Sequence, residues 1–155
     1  MSEAINMDKK VTVKNIAPWD VGFPNIENRG DTTIAPSGST RIRRDEILAQ
    51  IQRGNKLFGL DEFGSHATLY IEDEETRKFL EFDSEDGKRK QNIISPEKIK
   101  EWFEIKTLKT FEKRIQENII TRAEKQYLLR LIEELKLNEY DKISFCKEYC
   151  KFKLR

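Results

Sequence analysis

The residues of this sequence best suited to bind an anion lie close together in the first half of the chain. They are five cations: Arg41, Arg43, Arg44, Arg53 and Lys56. On a strand, Arg41 and Arg43 share one face, and a guanidinium group can bind a phosphate or a carboxylate through two parallel hydrogen bonds. Asp45 and Glu46 follow directly and reduce the local positive field. The cluster is therefore a candidate contact for a phosphate or an acidic partner, and nucleic acid is the less favoured ligand.

The remaining reactive side chains give little support for catalysis or metal binding. The sole histidine, His66, lies in the loop sequence FGSHA, and no serine or cysteine occupies a recognisable nucleophile turn. Cys146 and Cys150 are four residues apart and share a helix face, but a metal site would need further ligands nearby. We expect a non-enzymatic protein without a cofactor or a metal, whose two cysteines are reduced core thiols.

The composition is that of a folded chain with a highly charged surface. Charged and hydrophobic residues each make up 37% of the 155 residues, and aromatic residues make up 10%. The formal net charge of +1 differs from the strong basic excess of most nucleic-acid-binding domains. No apolar run reaches the roughly 18 to 20 residues that span a bilayer, and the N-terminus lacks the apolar core of a signal peptide. We expect no membrane partner, and a protein used inside a cell or inside a particle assembled there.

Glycine and proline divide the chain into two parts. All seven glycines and all four prolines lie at or before Pro96, and the rest of the chain contains neither. Because these residues make turns and break helices, a turn-rich part followed by a helical part is predicted. The predicted divisions are a mobile N-terminus (1–10), a β-rich domain (11–82), a polar linker (83–94) and a helical domain (95–155).

Short apolar segments in the first part predict strands at 10–16, 32–34, 40–43, 56–60 and 67–71, and a helix at 45–52. The turn sequence Pro36-Ser37-Gly38 predicts a hairpin between the second and third of these strands. The aromatic residues Trp19, Phe23 and Phe58 could stack on bases, but core packing is the preferred interpretation. We therefore expect an α+β protein that begins with a small β-rich roll or barrel carrying a short inserted helix.

The C-terminal part predicts a bundle of three helices, or four if the chain breaks near 106–107. Ser95-Pro96-Glu97 is a typical helix start, and Thr121 with Glu124 matches the capping box. The last helix, which we expect Asn138 to open, carries apolar residues on two faces, and the bundle can bury only one of them. Its second face provides the candidate interface residues Phe145, Tyr149 and Phe152.

Several stretches resemble an uncharacterised family of small proteins from tailed phages and prophages of low-GC Gram-positive bacteria. They are VTVKNIAPWDVGFP, TTIAPSGSTRI with RRDEILAQIQRGNKLF, GSHATLYIEDEETRKFLEFDSED, and KTLKTFEKRIQENIITRAEK with LKLNEYDKISFCKEY. They cover nearly the whole chain, but the family has no active-site motif from which a residue role could be carried over. The resemblance implies a phage origin and, less directly, a place among the virion proteins.

The leading hypothesis is a non-enzymatic virion accessory or decoration protein that binds the capsid or the head-tail region. The implied partners are capsid or head-tail proteins, the implied location is the virion, and self-association on the virion stays open. Two alternatives are a nucleic-acid-binding or packaging accessory protein that uses the Arg41 to Lys56 cluster, and a small inhibitor of a host enzyme.

Overall fold

The computed structural model describes residues 5–151 and has the predicted α+β architecture. The chain forms two compact units that divide between Ile93 and Ile94. We call them the N-terminal unit, which holds all the strands of the described residues, and the helical unit. The first four residues of the predicted mobile N-terminus lie outside the described residues. From Asn6 onward its carbonyls accept hydrogen bonds from the start of the first helix, for example from the backbone N–H of Asp45 to Met7 over 3.0 Å.

Two small antiparallel sheets make up the β-rich part of the N-terminal unit. The strands are β1 (Lys10–Asn15), β2 (Val21–Pro24), β3 (Asp31–Ile34), β4 (Ser39–Arg43) and β5 (Leu69–Ile71). One sheet has the order β4-β1-β5, and the other pairs β2 with β3. In the central strand β1, Val13 faces Thr40 on one side and Ile71 on the other. Val13 is fully buried, so the core of this unit lies against the middle of β1.

The predicted hairpin between residues 32–34 and 40–43 is wrong. The turn itself exists, since the backbone N–H of Gly38 donates to the carbonyl of Ala35 over 2.9 Å, but β3 pairs with β2 and β4 pairs with β1. The buried side chain of Asn15 helps to hold this arrangement. Its Nδ2 donates to the carbonyls of Trp19, Ile34 and Ala35, and its Oδ1 accepts the backbone N–H of Ala17. Asn15 thus joins the end of β1 to the turn.

Two helices complete the N-terminal unit. The predicted helix at 45–52 is confirmed as α1 (Arg44–Gln52), and α2 covers Glu74–Phe79. The predicted strand at 56–60 is wrong, because Lys56–Phe58 forms a 3₁₀ turn in which the side chain of Asn55 accepts the backbone N–H of Leu57. The ring of Phe58 lies 5.8 Å from that of Phe23, and both are buried. The core interpretation of these two aromatic residues is confirmed, whereas Trp19 is 36% exposed.

The polar segment predicted as a linker, 83–94, is attached to the N-terminal unit by two buried side chains. Asp83 accepts hydrogen bonds from Nε of Arg77 over 3.1 Å and from the backbone N–H of Gln91 over 2.8 Å. The Nε2 of Gln91 donates to the carbonyl of Gly64 over 2.7 Å. The sequence of the segment shows that it is polar, but it does not indicate these buried hydrogen bonds. Most exposed residues of the segment lie between Asp83 and Gln91.

Four helices form the helical unit: α3 (Pro96–Phe103), α4 (Leu108–Asn118), α5 (Arg122–Glu134) and α6 (Tyr140–Tyr149). The break between α3 and α4 settles the open question in favour of four helices. The predicted starts of α3 and α5 are confirmed, because Ser95 accepts the backbone N–H of Lys98 and the capping box of Thr121 is complete. The start predicted at Asn138 is wrong, since Glu139 precedes the first turn of α6.

The core of the helical unit contains one buried stripe from each helix. Six of its side chains are fully buried: Ile99, Phe111, Ile115, Ile119, Leu128 and Cys146. Lys142 is also buried, and its Nζ donates to the carbonyl of Phe103 and forms an ion pair with Glu139 over 2.6 Å. Across residues 5–151, the structure contains no helix that could span a membrane.

Candidate functional site

The predicted arginine cluster does not form a single site, because Arg44 is buried. Its Nε donates to Oγ1 of Thr76 over 2.9 Å, and its Nη2 lies 2.8 Å from Oδ2 of Asp73. Glu75 lies 3.3 Å from the same nitrogen. These contacts connect α1 to α2, so the guanidinium of Arg44 is a structural group within the N-terminal unit.

The other members of the cluster lie at the two ends of α1. Arg43 forms ion pairs with Asp8 over 2.6 Å and with Asp45 over 2.9 Å. It lines a small pocket of about 200 Å³ together with Arg41 and Lys10. Arg53 and Lys56 follow the C-terminal end of α1. The helix has 9 residues, so at the rise of an α-helix its two ends are about 14 Å apart. Only Arg41 and Arg43 therefore remain together as a candidate anion contact.

The buried carboxylate of Glu46 forms one wall of this small pocket. It accepts the backbone N–H groups of Ile26, Glu27 and Asn28 at 2.9 to 3.0 Å, and Nε2 of Gln50 over 2.9 Å. Burial raises the pKa of Glu46, but these hydrogen bonds outweigh it and hold the pKa below its ordinary value. Three consecutive backbone donors that could bind an anion are thus already occupied by a side chain of the protein itself.

Cys146 and Cys150 are confirmed as free, buried thiols. Burial raises the pKa of Cys146 to about 12 and that of Cys150 to about 11, so both are protonated at neutral pH. His66 lies in a loop of the N-terminal unit with a φ of 60°. Within residues 5–151, no group of three or more His, Cys, Asp or Glu side chains is placed to hold a metal ion.

Two of the three predicted interface residues, Phe145 and Tyr149, are half-buried and stack on each other with ring centroids 5.9 Å apart. Phe145 also packs against Phe111 inside the unit. The hydroxyl of Tyr149 donates to the carbonyl of Ile119 over 2.7 Å, and Nζ of Lys125 lies 4.9 Å from the centre of its ring. Phe152 lies outside the described residues. Tyr149 lines a surface cavity.

Two surface cavities of the helical unit lie between α5 and α6. One, of about 460 Å³, joins the start of α5 to the end of α6. The other, of about 400 Å³, joins the end of α5 to the middle of α6. The two helices are therefore antiparallel. On α5 the lining residues recur every three or four positions from Arg122 to Glu133, which places them on one helix face, and Lys136 and Leu137 follow the end of the helix.

We call this surface the α5–α6 groove. Its apolar floor is made by the half-buried Leu129, Leu137 and Ile143 and the buried Ile132, and Tyr149 and Cys150 continue it toward the start of α5. Five cations and two carboxylates surround this floor: Arg122, Lys125, Lys136, Lys147, Lys151, Glu133 and Glu148. The groove therefore combines apolar surface with an excess of positive charge.

Sequence reasoning missed most of this groove, although its signal was present. The apolar stripe of α5 was predicted as core, and Leu128, Leu131 and Ile132 are indeed buried. The neighbouring stripe, Arg122, Lys125, Leu129 and Glu133, has the same spacing, but it mixes charged residues with a single leucine. Such a face is typical of a solvated helix surface. It forms a groove because α6 packs beside it.

Comparison of the chain with protein-family models, with curated proteins and with solved structures finds no match. The geometry of the α5–α6 groove is therefore the basis for assigning a function.

Proposed function

We propose that this protein is a non-enzymatic accessory component of a phage virion, and that it binds a capsid or head-tail protein through the α5–α6 groove. The observation that carries the proposal is the apolar floor of this groove, which is open to solvent and surrounded by cations. Apolar surface gains free energy when a partner covers it, and surrounding charges select the partner. The virion as the location comes from the resemblance to phage proteins.

The chemistry of the groove favours binding over catalysis. The thiol of Cys150, which lines the groove, is protonated at neutral pH because burial raises its pKa to about 11. Lys125 lies over the ring of Tyr149, where a cation and an aromatic face stabilise each other. These side chains supply apolar, cationic and aromatic contacts, which are the contacts of a protein interface.

Nucleic-acid binding through the predicted arginine cluster has weaker support. Arg44 is buried against Thr76, and Arg43 is shared between two carboxylates. A phosphate would have to compete with Asp8 and Asp45 for Arg43. The remaining charge at this place is too small for tight, salt-sensitive binding to a polyanion.

Sedimentation with virions tests the proposal. Purified protein is mixed with virions that lack it, the particles are sedimented, and the protein in pellet and supernatant is measured. Repeated contacts on a symmetric lattice make even a weak interface effective, so we expect the wild type in the pellet. Wild-type protein that stays in the supernatant at several salt concentrations would overturn the proposal.

A matched pair of variants locates the contact. Leu129→Glu places a charge on the apolar floor of the groove, and Leu108→Glu makes the same change on an exposed leucine at the start of α4. We expect Leu129→Glu to remain in the supernatant and Leu108→Glu to sediment like the wild type. Thermal unfolding of both variants shows whether each is folded. A folded Leu129→Glu variant that still sediments would place the contact elsewhere.

A further inference from the structure

We infer that the partner segment bound in the α5–α6 groove is an amphipathic helix whose apolar stripe is flanked by acidic residues. This inference rests on the proposed function of the groove as a docking site. Three properties of the groove carry it: its length, the arrangement of its apolar floor and the distribution of its charges.

The length of the groove suits a helix of a few turns. The lining residues run along the whole of α5, which has 13 residues and is therefore about 20 Å long at the rise of an α-helix. A partner helix laid along this groove would place three or four apolar side chains on the floor, at spacings of three and four residues. An extended strand would gain less, because the groove is lined by side chains of two helices and offers no open sheet edge for backbone pairing.

The apolar floor is two helices wide. Leu129 and Ile132 come from α5, and Leu137 and Ile143 come from the connection and from α6. Ridges and grooves between antiparallel helices accept the side chains of a third helix in the same way as in a bundle. The geometry of the floor therefore matches the narrow apolar stripe of an amphipathic helix.

The charges select an acidic partner. At the end of the groove nearest the start of α5 lie Arg122, Lys125 and Lys151 with one carboxylate, that of Glu148. At the opposite end Lys136 and Lys147 lie with one carboxylate, that of Glu133. Both ends therefore have an excess of positive charge, and a helix with Asp or Glu beside its apolar stripe would complement both of them.

The charges disfavour the last residues of this sequence as the occupant. The four residues after Lys151 are Phe152, Lys153, Leu154 and Arg155, and two of them are cations. A basic segment would be repelled by the surrounding cations of the groove. A segment with acidic residues therefore complements the groove better than these four residues do.

Two synthetic helices test the chemistry of the groove directly. Both carry the same leucine stripe, one with glutamate and the other with lysine at the flanking positions, and each has a fluorescent label for anisotropy measurements. We expect the full-length protein to bind the glutamate helix at least about tenfold more tightly than the lysine helix at low salt, with a smaller ratio at high salt. Equal affinity for the two helices, or no binding of either, would overturn the inference.

Charge reversal in the groove provides the matched variants. Lys136→Glu/Lys147→Glu should lose the preference for the glutamate helix, whereas Lys100→Glu/Lys109→Glu, which changes two exposed lysines of α3 and α4, should keep it. Both double variants change the net charge equally, so an equal loss in both would assign the effect to overall charge and overturn the inference.

Sedimentation of the same variants separates this inference from the proposed function. If the wild type and the Lys136→Glu/Lys147→Glu variant both bind virions while the glutamate helix is not preferred, the acidic partner is wrong and the virion role stands. If the glutamate helix is preferred but the wild type does not sediment with virions, the virion role is wrong and the specificity of the groove stands.

Discussion

The Nε of Arg77 donates a hydrogen bond to Oδ2 of Asp83 over 3.1 Å, and both side chains are buried. The Nη1 of Arg77 donates to the carbonyls of Ile71 and Glu72 over 2.8 and 2.7 Å. One arginine thereby connects the end of β5, the helix α2 and the polar segment that follows it. The carboxylate of Asp83 compensates the buried charge of Arg77.

Asp83→Ala should destabilise the N-terminal unit strongly. Removing one partner of a buried pair leaves an uncompensated charge, which costs about 3 to 5 kcal/mol. Glu85→Ala removes an exposed carboxylate two residues further on and should change the free energy of unfolding by no more than about 0.5 kcal/mol. Urea denaturation followed by circular dichroism measures both. Equal effects would mean that Arg77 finds another partner.

Glu46 should make stability dependent on pH. Because the pKa of Glu46 in the folded state lies below its value of about 4.3 in the unfolded chain, its contribution is complete above that value and is lost as the pH falls through the folded pKa. Glu46→Gln should therefore reduce the free energy of unfolding at pH 7 and weaken its dependence on pH in the acid range. The control is Glu27→Gln, an exposed neighbour in the loop. Unfolding curves that keep the wild-type pH dependence in Glu46→Gln would contradict the assignment.

Thr121 and Leu131 should contribute to the stability of α5 by different amounts. Thr121→Ala removes the acceptor for the backbone N–H of Glu124 and should cost about 1 kcal/mol. Leu131→Ala leaves a cavity in the core and should cost about 2 to 5 kcal/mol. Thr110→Ala, at an exposed position within α4, is the control for the loss of a threonine. If calorimetry ranks Leu131→Ala as the milder of the first two changes, Leu131 does not belong to the core.

Gly64→Ala should be much more damaging than Gly30→Ala. Both glycines have positive φ, +69° and +83°, so each substitution introduces about 1 to 2 kcal/mol of backbone strain. A Cβ at Gly64 would also lie 2.5 Å from Nε2 of Gln91 and 2.7 Å from the ring of Phe82, whereas nothing lies within 4 Å at Gly30. Overpacking of this kind adds about 1 to 3 kcal/mol. Thermal unfolding would contradict the expected crowding if the two variants melted at the same temperature.

The parts of the fold that depend on neighbouring residues were predictable from the sequence. The caps at Ser95 and Thr121 involve partners three residues away, and both form as expected. The buried stripe of α5 follows in the same way from the helical period. Where the pattern was weak, as at Asn138, the predicted helix start was wrong.

The parts that depend on distant residues were not predictable. The turn near Gly38 could be read from its sequence, but the strands on either side of it join different sheets because their partners come from β1 and β2. Arg44 was predicted as part of a cation cluster, but in the fold it contacts Asp73 and Thr76, which are far along the chain. Long-range pairing of this kind leaves no trace in the local pattern.

The candidate site was only partly predictable for the same reason. Tyr149 was singled out as an aromatic residue on a second helix face, and it does line the α5–α6 groove. Phe145, chosen on the same grounds, packs inside the unit against Phe111. The cations of the groove come from two separate parts of the sequence, α5 and α6 with the residues that follow each helix. Neither part alone has the pattern of a binding surface.

The central position of β1 bears on the order in which the protein folds. Its sheet is complete only when Val13 has paired with both Thr40 and Ile71, so the N-terminal unit needs contacts between residues that are far apart in sequence. The main contacts of the helical unit join helices that are one or two apart along the chain: α3 with α4 and α5, and α6 with α4 and α5. Since folding slows as the sequence separation of contacts increases, we expect the helical unit to reach its native state first in refolding experiments. During synthesis the sheet of β1 must wait until Ile71 has left the ribosome.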